Sequence, residues 1–211
     1  MSDICKQLHE ILNTGKRFEF GIDYQSVPKN GIYVMFEKGE KAHGVDRVVR
    51  IGTHTGDGQL PSRIFQHFEL ENKNRSIFRK NIGRCILNQA HHPYLSIWEL
   101  DTTSQKNKNA YAHLIDKQFE RSIEKEISAY IQQNFSFVIL EVPEKSDRLK
   151  FESRLIGTVS NCSDCVPSQN WFGYNSPVEK IRKSGLWQVM ELYSQPLNAC
   201  ELNQVANWLV R

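Results

Sequence analysis

Ile4, Leu8, Ile11 and Leu12 recur at helical spacing, so residues 3–14 are predicted to form an amphipathic helix that Gly15 stops. Phe18, Phe20 and Ile22 then alternate with polar residues as in a short extended segment, and residues 27–31 read as a turn. Ile32 to Phe36 is a short run of β-formers. Residues 37–46, polar and with two glycines, read as a hairpin loop, and residues 47–53 as the returning strand. The glycine-rich Thr55-Gly-Asp-Gly58 leads to Pro61, well placed to start a helix whose apolar face is Ile64, Phe65 and Phe68. Residues 76–88 repeat the helical pattern through Ile77, Phe78, Ile82, Cys85 and Ile86, whereas residues 89–112 read as a long connection. Ile115, Phe119, Ile123, Ile127 and Ile131 step along a helix from about 112 to 133. Residues 135–142 read as a buried strand and 147–159 as a helix. Ser176-Pro-Val-Glu179 has the form of a capping box, with Gly185 as the helix stop. Asn198-Ala-Cys-Glu201 is a weaker version that opens a terminal helix through Leu202, Val205 and Leu209.

A helix, a hairpin, helices, a strand and more helices predict one mixed α/β domain, and 211 residues suit that size. A hydrophobic content of 39% supports a core. The mean hydropathy of -0.52 and the lack of any apolar run near ~18 residues argue against a membrane-spanning helix. The first residues lack the basic-then-apolar order of a signal peptide, which sets the expectation of a cytoplasmic protein. A net charge of +3, from 27 basic and 24 acidic residues, neither demands nor excludes a polyanionic partner. The five cysteines, at 5, 85, 162, 165 and 200, fit free thiols in a reducing compartment. Cys162-Ser-Asp-Cys165 has the spacing of half a zinc knuckle. With no second CxxC or HxxxH at a plausible distance, two buried or semi-buried thiols are the favoured reading over a small zinc protein.

Chemistry enters at Glu152. It stands three residues after Leu149, three before Leu155 and four before Ile156, which puts a carboxylate in a helical face that should point inward. Burying an unpaired carboxylate costs several kcal/mol, so Glu152 calls for a cation: a metal ion, or an ion-pair partner, unless it lies at a wet stripe edge. Arg63 and His67 share a helix face at i, i+4 and are predicted to project together, away from Ile64, Phe65 and Phe68. An arginine offers a fork for phosphate and a histidine a proton shuttle, although a solvated face has the same pattern. Tyr33 shares a strand face with Met35, where a tyrosine is usually a core residue.

The order of these elements adds what none carries alone. Gly31-Ile-Tyr33, then Arg50-Ile-Gly52, then Arg63 and His67, then Glu152, then Asn170 in Asn-Trp-Phe-Gly resembles the GIY-YIG nuclease family, with Asn175 a rival for the last position. The likeness covers about residues 30–88 and 135–175 as a catalytic core. Residues 1–29 are then an N-terminal extension, 89–134 an insertion and 176–211 C-terminal helices. The resemblance implies an α+β fold, a small three-stranded antiparallel sheet flanked by helices. It further implies phosphodiester hydrolysis with one divalent cation, Mg²⁺ or else Mn²⁺, on DNA, with RNA open, by a monomer or homodimer. By the same resemblance Arg63 clamps a phosphate oxygen and Glu152 holds the cation. Tyr33, aided by His67, takes the proton from the attacking water, and Asn170 orients the glutamate or a water on the metal.

Two departures stand out. Arg50 replaces the second tyrosine; it can hold phosphate or lower the pKa of Tyr33, but it cannot accept a proton. The hairpin between the triplets is also longer than the family minimum. For substrate contacts, Arg75, Arg79, Lys80 and Arg84 lie on or beside one helix and suit phosphate binding without sequence readout, as they suit an ordinary solvated basic face. His91 and His92 read as incidental, and Trp171 as a core anchor. A non-catalytic nucleic-acid-binding module on the same scaffold is the alternative function.

Overall fold

The computed structural model describes residues 2–211. Its helices and strands in chain order are α1 (Ser2–Asn13), β1 (Gly31–Ala42), β2 (Val45–Gly52), α2 (Leu60–Phe68), α3 (Ile77–Gln89), α4 (Leu95–Trp98), α5 (Gln105–Tyr111), α6 (Lys117–Asn134), β3 (Phe135–Glu141), α7 (Lys145–Ser160), α8 (Glu179–Ser184) and α9 (Ala199–Trp208). The strands form one antiparallel sheet in the order β2-β1-β3, with β1 central. The fold is the α+β arrangement expected. Among the described residues no helix is long and apolar enough to cross a membrane.

Strand alternation gives the sheet two apolar faces and so two cores. Ile32, Val34, Phe36, Val138 and Leu140 face α1, α7 and α9, where Leu8, Leu12, Phe151, Leu155, Leu202 and Val205 meet them. Tyr33, Met35, Phe137 and Ile139 face α2, α3 and α6, with Ile64, Phe78, Ile82, Ile127 and Ile131. Helix α6 therefore packs directly on the sheet. A bulge separates the pairs Met35↔Arg50 and Phe36↔Val48. The extra residue, Val49, keeps Val49 and Arg50 on the Tyr33 side while Val48 turns to the other core.

Both sheet edges are covered. Phe18 bridges to Phe137 and Leu209 to Leu140 along β3, and the Trp187 amide donates to the Val49 carbonyl along β2. Of the predicted extended segment only Phe18 is buried; Phe20 is exposed.

Several local expectations are corrected. Residues 37–46 are not a loop: β1 runs on to Ala42 and only His43 and Gly44 turn. Glu37 and Glu40 look like loop residues in sequence but are buried, because other segments bring donors to them. Trp171 and Trp187 both donate from Nε1 to Glu37 at 2.8 Å, and Arg47 pairs with Glu40 at 2.6 Å. Residues 89–112 carry α4 and α5, and α6 begins at Lys117 because Asp116 caps it, accepting from the Gln118 and Phe119 amides. Ser176 does not cap α8. Its hydroxyl accepts from the Val178 amide, so the helix starts later, at Glu179. The weaker signal is the one realised: Asn198 and Glu201 form a complete capping box on α9. Trp171 is buried, as expected.

Candidate active site

The end of the sheet where β1 starts and β2 finishes carries the candidate chemistry. Tyr33 pairs with Gly52 across β1 and β2. A Cβ on Gly52 would stand 2.2 Å from the Tyr33 hydroxyl, so the glycine of the second triplet is what lets the phenol lie there. The phenol oxygen is 2.8 Å from His67 Nε2, and His67 Nδ1 is 2.7 Å from the Ser76 hydroxyl. Ser76 is also the N-cap of α3, accepting from the Arg79 amide. Thus a strand, two helices and a cap fix one chain of polar groups.

His67 is not on a solvated face. It lies fully buried with Ile64 and Phe68, whereas Phe65, expected in the core, is 43% exposed. Burial first, then the charges of Arg50, Arg63 and Arg79, hold its imidazole well below the usual value, so the ring is neutral near pH 7. Arg63 does not project beside it: half-buried, it donates from Nη1 to the Arg75 carbonyl at 2.9 Å and to Gln66 at 3.1 Å. It lines a cavity of about 290 Å³ with Thr53, His54 and Ser62.

Beside that cavity, along the β2 edge, lies another of about 310 Å³ lined by Arg50, Asn81, Glu152, Gln188 and Glu191 among others. Glu152 reaches it from the edge of the buried stripe of α7. That stripe is Phe151, Leu155, Ile156 and Val159; Leu149, placed inside by the sequence pattern, is 41% exposed. The Thr53 amide donates to Glu152 Oε1 at 3.0 Å, and among the described residues Oε2 has no hydrogen-bond partner and no ion pair reaches the carboxylate. Burial pushes the carboxyl above the usual range; the Thr53 amide and Arg50 oppose the shift and Glu191 adds to it. Arg50 is buried, donates from Nη1 to the Trp187 carbonyl, and leaves Nε without a partner. Asn81 gives Oδ1 to Arg84 at 2.6 Å and leaves Nδ2 without a partner.

Unpaired buried donors are rare, because each costs about 1–3 kcal/mol. Arg50 and Asn81 both line this cavity, and each keeps a donor shielded from solvent that would turn toward an anion bound there. The carboxylate donor set beside them is hard oxygen, which suits a divalent cation of the magnesium type, commonly held by one or two carboxylates and completed by water and phosphate. Glu152 and Glu191 thus fit such an ion.

Other predicted residues lie elsewhere. Asn170 is exposed and lines neither cavity. Its loop is held at the far end of β1, where Ser168 donates to Glu40 and Trp171 to Glu37, about 13 Å along the strand from Tyr33. Asn175 accepts from Asn88 within a packed turn. Arg79 cannot reach a nucleic acid, being fully buried and bonded to Glu124, Ser128 and the His67 carbonyl. Lys80 and Arg84 both engage Glu99, and only Arg75 of that set is exposed. Ser76, Asn81, Gln188 and Glu191 were not among the candidates from the sequence. Asn81 carried a signal, since it stands on the stripe of Phe78, Ile82 and Cys85; the others carried none.

The family model described as the GIY-YIG domain matches residues 1–208. The chain belongs to the GIY-YIG family. No curated protein and no solved structure matches it significantly. As a GIY-YIG protein it joins a family of nuclease type, and the match spans nearly the whole chain, including the segment between α3 and α6.

Proposed function

We propose that this GIY-YIG protein is a metal-dependent endonuclease that hydrolyses phosphodiester bonds in DNA. The observation that carries the reading is the meeting of Glu152, Arg50 and Asn81 on one cavity, two of them with unpaired donors, next to the Tyr33–His67 pair.

In the reaction a phosphate enters beside the β2 edge, with Arg50 and Asn81 turning their unpaired donors to its oxygens and Arg63 swinging from the Arg75 carbonyl to a third. With Nδ1–H given to Ser76, His67 Nε2 takes the Tyr33 hydroxyl proton as the phenol oxygen receives the proton of an attacking water. Glu152 would hold a divalent cation, Mg²⁺ or Mn²⁺, which when bound would supply positive charge against the negative charge that develops on the leaving group. Gln188 keeps the cavity wall in place through its bond from the Ile51 amide at 2.9 Å.

Incubation of plasmid DNA with Mg²⁺ or Mn²⁺ tests this. Wild type should nick or cut, and Glu152→Ala and Arg63→Ala should each lose the activity while keeping the fold. Cleavage that survives both substitutions overturns the proposal. The non-catalytic alternative draws support from Tyr33 being only 1% exposed and from Arg50 at the second tyrosine position. Binding without nicking across pH and metals would favour it. Sequencing the ends made from mixed DNA and RNA pools decides substrate and strand count together.

A further inference from the structure

Cys162 and Cys165 acquire partners that sequence spacing conceals. At the end of α7 the Cys165 amide bonds to the Cys162 carbonyl at 3.3 Å, closing the turn of a knuckle, and the Asp164 amide points at the Cys162 sulfur. Opposite this turn stands Cys5 on α1, with its sulfur 3.3 Å from that of Cys165. From the third side comes His43, at the hairpin tip between β1 and β2. His43 and Gly44 both have positive φ, 54° and 85°, which is a tight two-residue turn that a non-glycine residue occupies at a cost. The turn brings His43 Nε2 to 3.4 Å from Cys165 Sγ and 3.6 Å from Cys162 Sγ. One ligand atom each from Cys5, His9, His43 and Cys165 lies within 4.8 Å of all the others.

A tetrahedral zinc ion, with Zn–S near 2.3 Å and Zn–N near 2.0 Å, separates its donors by about 3.3 to 3.8 Å. The separations of Cys165 from Cys5 and from His43, and of Cys162 from His43, at 3.3, 3.4 and 3.6 Å, fall in that range. Five candidate donors surround the point, and the hydrogen bonds distinguish them. His9 is already used on both sides: Nδ1 meets the Cys5 carbonyl at 2.9 Å and Nε2 accepts from the Val48 amide at 3.2 Å. Cys162 has no such backbone claim on its acceptor capacity beyond the knuckle amide. We propose that Cys5, His43, Cys162 and Cys165 bind a structural zinc ion, with His9 buttressing the site from α1.

All four protein positions being filled, the site is closed to substrate. Its residues belong to or border the core on the α1, α7 and α9 side of the sheet, the face opposite Tyr33 and the α2 helix. The ion would tie three segments that no single secondary structure element joins: the N-terminal helix, the hairpin tip and the end of α7.

The test uses the full chain purified under reducing conditions without chelator. Elemental analysis should find one zinc per chain, and Co²⁺ added to the metal-stripped protein should give the intense thiolate-to-cobalt band of a mostly sulfur site. Stripping zinc should lower Tm by several degrees, restored by Zn²⁺ and not by Mg²⁺. Cys162→Ser and Cys165→Ser should lose the cobalt band, whereas His9→Gln and the exposed Cys200→Ser should keep it. Absence of zinc together with no cobalt band from the wild-type chain overturns the site, as does a Cys5–Cys165 disulfide in freshly purified protein. Loss of the band in His9→Gln with retention in Cys162→Ser overturns the ligand assignment.

Discussion

Gly52 lies directly across the β1–β2 ladder from Tyr33, and the phenol occupies the space a side chain on Gly52 would fill. Gly52→Ala should therefore displace the hydroxyl from His67. Overpacking of this kind costs about 1–3 kcal/mol. The expected result is a modest loss of stability on denaturant titration, with a larger fractional loss of DNA cleavage. Unchanged cleavage at reduced stability would separate the phenol from the chemistry.

Glu152 presents a stability argument as well as a catalytic one. Its carboxyl is raised by burial, so the folded chain holds the proton more tightly than the unfolded chain does. Stability from this group is present at low pH and is lost as pH rises from the ordinary carboxylate value through the raised one. In metal-free buffer Glu152→Gln should thus match or exceed the wild-type Tm at neutral pH, the advantage shrinking on acidification. Mg²⁺ or Mn²⁺ should raise the wild-type Tm and leave that of Glu152→Gln nearly unmoved. Cleavage by the variant should fall by about 10²-fold or more. Thermal melts across pH, with and without metal, read all but the last of these; a plasmid assay reads the last.

His67 has the opposite sign. Its folded pKa is depressed, so the stability it contributes is present above the ordinary imidazole value near 6.5 and lost as pH falls below it. The difference between wild type and His67→Gln, measured by denaturation at a series of pH values, should narrow as pH falls from about 7 toward 5. A difference independent of pH would mean that the buried ring is not neutral.

Arg79 and Arg75 look alike in sequence and should behave unlike. Arg79 ties α3 to α6 and to the end of α2, and its removal leaves Glu124 buried without its cation; Arg79→Ala should cost about 3–5 kcal/mol. Arg75→Ala should stay within about 0.5 kcal/mol, as exposed substitutions do, and weaken DNA binding at low salt. Chemical denaturation and a salt series on binding distinguish the two.

How far the candidate site was legible follows from how each residue is positioned. Tyr33 and Glu152 were candidates because strand and helix periods assign a face from nearby residues, although Leu149, taken with Glu152 as inward, is exposed; Gly52 entered only through the second triplet of the family resemblance. The bulge at Val49 was not visible: an extra residue in one strand is defined only against its partner. Asn170 and Asn175 were candidates by order in the chain, yet the cavity is finished by Asn81 and by Gln188 and Glu191, from two places about a hundred residues apart. Arg79 was misjudged because its partner Glu124 is 45 residues away, and Glu37 because its donors, Tyr130, Trp171 and Trp187, come from later segments.

By itself the sequence determined most of the elements and their order, because apolar periodicity, prolines and caps act over one or two turns; it did not show the length of β1 or the helices α4 and α5. It also determined membership of the GIY-YIG family, through short motifs held on single elements. Only the tertiary structure decided which polar groups meet. Arg79 with Glu124, Arg50 with the Trp187 carbonyl, and Cys5 with His43 and Cys165 are all pairings over long stretches of chain, set by how two cores pack on one sheet.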